Sequence, residues 1–279
     1  MCDRPDRTLS TNMPVVDLFD RNYPENLTFV KTYQPRNKEV KHLRILLYGP
    51  IGAGKSSFIN SVESVLQGRI TVRALTDAVS GSSFTQKHKT YKIRKEPEGF
   101  YSFIFNDIMG FEQNDGVHVE DIKLALKGHV ADDYKFLPEG ELTVTNEGYN
   151  SSPTLADSVH VLVCALPAGS VSLISDEVVR KMREVRLAAS EMGIPQLAIL
   201  TKVDEACLQA KKDVKKAYKS KYLKKQVNKC NMLLGIPRNC IFLVKNYESE
   251  SSTDEDTNAL ILSALRQIIT FGEDFLNNL

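Results

Sequence analysis

Residues 49–56 read Gly49-Pro50-Ile51-Gly52-Ala53-Gly54-Lys55-Ser56, a complete phosphate-binding loop. The loop constrains the fold because it works only between a strand and a helix. Leu43–Tyr48 is an apolar run of strand length, and Phe58, Val62, Val65 and Leu66 recur behind the loop at helical spacing. In that setting consecutive backbone N–H groups and the positive end of a helix dipole meet the oxygens of a triphosphate. A side chain at Gly49 or Gly54 would hinder that approach. The expected phosphate set is Gly49, Gly52, Ala53, Gly54, Lys55, Ser56 and Ser57, with Lys55 reaching the β- and γ-phosphates and Ser56 offering its hydroxyl to Mg²⁺.

From Leu43 onward strands and helices alternate, the pattern of a mostly parallel sheet covered on both faces. Further strands are expected at Tyr101–Phe105, Val159–Leu166, Gln196–Leu200 and Cys240–Val244, with a weaker edge strand at Tyr91–Arg94. One helix is expected behind Ser175, with Val178, Met182, Val185 and Ala189 as its apolar stripe and Gly193 and Pro195 as its stop. A last helix carries Ile261, Leu265, Ile268 and Phe275. Residues 1–40, with Pro5, Pro14, Pro24 and Pro35 among polar residues, read as an irregular extension, and 41–279 as one nucleotide-binding domain.

In open α/β sheets ligands lie beyond the carboxyl ends of the strands. One strand end carries Asp107-Ile108-Met109-Gly110, a DxxG motif in which Asp107 would hold Mg²⁺ through water and the Gly110 N–H would sense the γ-phosphate. Another carries Thr201-Lys202-Val203-Asp204, the form of a guanine-specificity motif. Guanine presents N1–H and N2–H₂ side by side, and an ionised Asp204 accepts both. Adenine lacks that pair and would leave the carboxylate unpaired. Lys202 would lay its stem over the base. Lys245 and Asn246, at the last strand end, are further base-contacting candidates. The switch I residue completing the Mg²⁺ shell lies among Thr76, Thr85 and Thr90, which spacing does not separate.

These residues and several flanking ones resemble the interferon-induced protein 44-like family of vertebrate GTP-binding proteins. The likeness is carried by Leu46–Phe58, by Lys127-Gly128-His129-Val130 with Tyr134 and Phe136, by Val244-Lys245-Asn246-Tyr247, and by Ile261–Arg266 with Asp274-Phe275-Leu276. It covers residue 36 to the end. The resemblance implies a Ras-like P-loop G domain, distantly related to septins, in a cytoplasmic protein induced by interferon and acting in antiviral innate immunity. It also implies Thr85 as the switch I ligand and GTP or GDP with Mg²⁺ as the bound species.

Catalysis is the weak point of the motif set. Ras-type switches place glutamine after the DxxG glycine; here that position is Phe111, with Glu112 and Gln113 following. No arginine is evident as an internal finger, though Arg69 and Arg73 fall between the first helix and switch I, and no catalytic residue is assigned. The expected activity is GTP binding with slow or partner-dependent hydrolysis. The alternatives are a nucleotide-locked scaffold and, less favoured because of Asp204, an ATP-dependent phosphotransferase. The long stretch 111–157, with a short helix over Val119, Ile122 and Leu126, reads as an insertion after switch II. It offers an effector or self-association surface, or a plain cover for the sheet.

Composition narrows the partners. A net charge of +1 gives no case for nucleic acid, no apolar run spans a bilayer, the polar N-terminus is no signal peptide, and neither end carries a lipid-anchor motif. Five scattered cysteines fit reduced thiols in the cytosol. Lysines crowd 211–229 along what reads as five turns of one helix, a solvated surface or a contact for an acidic partner or lipid headgroup. The acidic run 248–256 reads as a mobile loop.

Overall fold

The computed structural model describes residues 23–74, 87–112, 116–136 and 140–279. It opens on helix α1, Tyr23–Thr32, followed by β1, Leu43–Tyr48, and α2, Lys55–Gln67. Then come β2, Lys89–Arg94, β3, Phe100–Asp107, α3, Val119–Leu126, β4, Val161–Pro167, α4, Asp176–Glu191, and β5, Gln196–Thr201. The chain continues through α5, Val203–Ala206, α6, Leu208–Lys212, a 3₁₀ segment, Val214–Lys219, and α7, Lys221–Leu234, to β6, Ile241–Leu243, and α8, Glu255–Asn277.

The strands form one six-stranded sheet in the order β2-β3-β1-β4-β5-β6. Every neighbouring pair is parallel except β2 with β3, so the weakly patterned edge strand is the antiparallel one. This is the Ras-like P-loop G-domain topology, with helices on both faces. Alternation along β1 divides the core: Leu43, Ile45 and Leu47 face α2 and α8, while Leu46 and Tyr48 face α3, α4 and α7. Central β4 is buried on both faces, which is why it reads as an unbroken apolar run.

Three expectations need correction. Residues 23–32 form a helix docked on α8, where an irregular extension was expected. Pro24 sits in its first turn, where no N–H is needed, so this proline is compatible with a helix. Val30 is buried, Arg266 pairs with Glu25 at 2.9 Å and Asn26 at 2.7 Å, and the Tyr33 hydroxyl donates to Glu273 at 2.6 Å.

The lysine run is three segments rather than one helix. The Asp213 and Ser220 side chains accept from Lys215 N and Leu223 N, so each caps a new start. The acidic run, expected to be mobile, is tied down at both ends. Glu250 accepts from Glu248 N and pairs with Lys245 at 2.8 Å, and Asp254 caps α8. Against the upward pull of burial, the Glu248 N–H and the Lys245 ammonium hold the Glu250 carboxyl down at about 2.

Candidate functional site

The phosphate loop leaves β1 and enters α2 under tight steric control. Gly49 has φ 145°, and a Cβ there would lie 2.2 Å from Ala165 O. Gly54, at φ 80°, stands at the N-terminus of the 13-residue helix α2 with no side-chain cap, so the positive end of that helix faces the loop. A Cβ on Gly54 would lie 2.9 Å from Asn246 Nδ2 and 3.4 Å from Thr201 Oγ1. Lys55 is buried, its ammonium donating to Pro50 O at 3.2 Å and Gly49 O at 3.4 Å, so the charge is folded back onto the loop. Ser57 follows in the first turn of α2.

The DxxG segment is latched to this loop. Phe111 N donates to Gly49 O at 3.1 Å and Ile51 N donates to Phe111 O at 3.4 Å. Gly110 is pressed against Ile51, where a Cβ would meet Ile51 N at 2.6 Å. The Ser56 hydroxyl donates to Oδ2 of Asp107, a fully buried carboxylate at the end of β3. Together these are hard oxygen donors of the kind Mg²⁺ takes. Phe111 is itself core, its ring edge-on to Tyr48 with centroids 6.3 Å apart.

Two further strand ends grip the loop from the other side. The buried Thr201 hydroxyl donates to Ala53 O at 2.7 Å. Asn246 Nδ2 donates to Gly54 O at 3.1 Å, and Tyr247 N donates to Ser61 Oγ on α2 at 2.9 Å. Thr201 and Asn246, base-contact candidates by their motifs, both brace the phosphate loop. The contacts join residues far apart in sequence, and no local signal announces them.

Lys202 adopts φ 55°, a left-handed conformation uncommon for a side-chain-bearing residue, and pairs with Glu205 at 3.5 Å. With Pro50, Ile51, Gly52 and Ala206 these two residues help line a cleft of about 650 Å³ beside the loop. Asp204 is half-buried in the first turn of α5, and Lys245 is engaged by Glu250.

The remaining candidates separate. Thr76, Thr85 and Gln113 lie outside the described residues. Thr90 is engaged elsewhere: its N–H donates to Asp132 and its hydroxyl oxygen accepts from Asn106 Nδ2. Arg73 pairs with buried Glu63 at 2.6 Å, and Arg69 lies 3.8 Å from Glu96 on the surface. The Glu112 carbonyl accepts from Lys181 at 3.0 Å. Among the described residues no helix is long and apolar enough to cross a membrane.

No family model matches the chain. Among solved structures it is similar to Toc33 from Arabidopsis thaliana in complex with GDP and Mg²⁺, with 15% identity, TM-score 0.49 and coverage of 91% of this chain and 93% of that one. It is also similar to a probable GTP-binding protein engB, at 14% identity, TM-score 0.43 and coverage of 81% and 98%. At these scores the likenesses bear on nothing at the site.

The sequence relatives are nearer. Interferon-induced protein 44 of Homo sapiens is 35% identical over 255 residues, 91% of this chain and 57% of that protein. The Mus musculus protein of the same name is 35% identical over 254 residues, and interferon-induced protein 44-like of Homo sapiens is 32% identical over 256. The chain thus spans little more than half the length of these relatives. The likeness to the interferon-induced protein 44 family that its motifs carry holds across 91% of this chain.

Proposed function

We propose that this chain is a guanine-nucleotide-binding protein that takes GTP or GDP with Mg²⁺ and hydrolyses slowly by itself. The supporting observation is convergence. One loop, Gly49–Gly54, is held by segments from three other strand ends, through Phe111, Thr201 and Asn246. Backbone N–H groups of the loop, with Ser57 and Gly110 beside it, and Lys55 would hold the phosphates, and Ser56 and Asp107 would hold the metal. Thr201 would fix the loop, Lys202 would cover the base, and Asp204 would accept from guanine N1–H and N2–H₂. Lys245 and Asn246 complete that end of the site.

Mg²⁺ held by Ser56 and Asp107 would supply neutralisation of the phosphate charge. No group among the described residues stands where Ras-type switches keep their glutamine, because Phe111 is turned into the core. Intrinsic rates are on the order of 10⁻⁴ s⁻¹ even with that glutamine, so turnover at or below this scale is expected without a partner. The same latch supports a second reading, a nucleotide-locked scaffold that never turns over.

The likeness to interferon-induced relatives supports a cytoplasmic role in antiviral innate immunity, with effectors or a second copy meeting the switch regions and the 111–157 segment. The test is Asp204→Asn. Asn presents a donor toward guanine's own donor, so GTP binding should fall, and XTP, with an acceptor there, should bind better than to the parent. Unchanged GTP affinity in Asp204→Asn, with Lys55→Ala abolishing binding, would remove the guanine assignment and leave only a triphosphate site.

A further inference from the structure

The start of β1, at the far end of the strand from the phosphate loop, builds a second polar site. Inward positions on a covered sheet face are ordinarily apolar. Here Arg44 and Lys92 each sit opposite Ile104, and Thr90 sits opposite Asn106, so three strands turn polar groups to one face beneath the segment that follows α3. The result is a cleft of about 460 Å³ between these strands and residues such as Ala131, Asn150 and Ala156.

Its charges are only partly balanced locally. The half-buried Arg44 guanidinium donates through Nε and Nη2 to Ala156 O and through Nη1 to Asn106 Oδ1, which leaves one N–H on each Nη for another acceptor. The side chains of Lys41, His42 and Lys92 line the same cleft and make no hydrogen bond or ion pair among the described residues. Burial first, then the charges of Lys92, Lys41 and Arg44, push the His42 imidazole below its ordinary value. Two carboxylates, Asp132 and Asp157, line the cleft as well, accepting from Thr90 N and Thr154 N and attracting Arg44, so three cations face two anions. Buried His88, also in the cleft, is pushed down to about 4 by burial.

We propose that this cleft binds a small phosphorylated anion. Three cations against two carboxylates leave the cleft with an excess positive charge that a bound anion would offset. A guanidinium with two free N–H groups matches phosphate oxygens in a way a lone ammonium does not. The volume falls within the roughly 300–1,000 Å³ of small-molecule sites. Arg44 precedes Gly49 by five residues of strand, roughly 16 Å, so this is a site separate from the phosphate loop.

The test is a titration with inorganic phosphate of the Lys55→Ala protein, read from the histidine ring resonances. His42 and His88 line the cleft and report on it, His160 and His129 touch its Arg44 and Asn150 and respond with it, and His118 serves as the internal control. The expected result is a saturable shift of His42 with a rise in its pKa, since an added anion offsets Lys41, Arg44 and Lys92 while Asp132, Asp157 and neutral His88 are unchanged. The exposed double variant Lys41→Glu/Lys92→Glu should weaken the binding at least tenfold while the control resonance stays in place.

A His42 ring unmoved by phosphate, or a shift that survives the double charge reversal, overturns the proposal. Inositol trisphosphate binding more tightly than glycerol 3-phosphate would assign the ligand to lipid headgroups, and the reverse order to small phosphate esters.

Discussion

Replacing Thr201 by valine tests whether the phosphate loop is held in shape by the body of the domain. The hydroxyl is fully buried and donates to Ala53 O at 2.7 Å and Leu166 O at 3.3 Å. Valine keeps the branched shape and deletes the donor, leaving Ala53 O short of a partner at a cost of about 1–3 kcal/mol. That cost divides between two measurements. If the empty loop stays put, the whole of it appears as lost stability without nucleotide, and affinity is unchanged. If the empty loop shifts so that water reaches Ala53 O, part of the stability returns and nucleotide must restore the loop, so affinity falls by the part recovered. Stability at saturating nucleotide therefore falls by the full amount in either case. Urea unfolding with and without GDP and Mg²⁺, together with calorimetric affinities, separates the two. Complete transfer into affinity corresponds to roughly a 5- to 150-fold weaker Kd. Thr201→Ser keeps the hydroxyl and should retain most of both. A valine variant with unaltered nucleotide-saturated stability, or a serine variant as damaged as valine, refutes the brace.

Two neighbouring predictions concern stability alone. Arg73→Ala strands the buried Glu63 carboxylate; because Arg73 is 32% exposed and its pair is partly screened, the expected loss is about 2 kcal/mol, below the ~3–5 of a fully buried pair, and Glu63→Gln in the same chain should recover part of it by urea unfolding. His88 and His160 are pushed down to about 4, His88 by burial and His160 by burial while its Nδ1 accepts from Arg44 N. Their folded values lie below the unfolded 6.5, so the unfolded chain binds the proton first, and stability present above pH 6.5 is lost as pH falls towards 4. The slope is up to about 1.4 kcal/mol per pH unit for each ring. His160→Gln should flatten the urea midpoint between those pH values, and an unchanged slope would refute the assignment.

The legible parts of this molecule are those written in consecutive residues. The phosphate loop and its flanks, Asp107 after an apolar strand, and Ser175 before a stripe at helical spacing each need only a few neighbouring positions, and the strands and helix appear there. What escaped depends on partners distant in sequence. Thr201 and Asn246 look like base contacts in their own motifs; their hydroxyl and amide turn to Ala53 and Gly54 because packing β5 and β6 beside the loop puts those carbonyls within reach. Helix α1 is weakly patterned by itself and owes its place to Arg266 and Glu273 on α8. The polar face at Arg44 was hidden in strands that read as ordinary, since what makes Arg44, Asn106 and Lys92 unusual is the segment lying over them.

Phe111 sets a limit on how the domain can respond to its nucleotide. Its backbone exchanges hydrogen bonds with Gly49 and Ile51, and its ring lies 2% exposed against Tyr48. Peeling the DxxG segment off the loop would break both bonds and expose that ring, and exposing the ring alone costs about 1.5–3 kcal/mol. A γ-phosphate meeting Gly110 can more cheaply move what lies beyond the ring, beginning at Glu112, whose carbonyl accepts from the Lys181 ammonium. Hydrogen exchange should therefore show equal protection of the Phe111 amide with GDP and with a non-hydrolysable GTP analogue, and a difference after Glu112. For the same reason Phe111→Gln should not create a fast GTPase. It would bury an amide in a slot built for a ring, at about 3 kcal/mol or more of stability, with its side chain pointing into the core. Nucleotide-dependent exchange at Phe111 itself, or accelerated single-turnover hydrolysis in Phe111→Gln, would mean that the latch opens during the cycle and that the ring belongs to the switch.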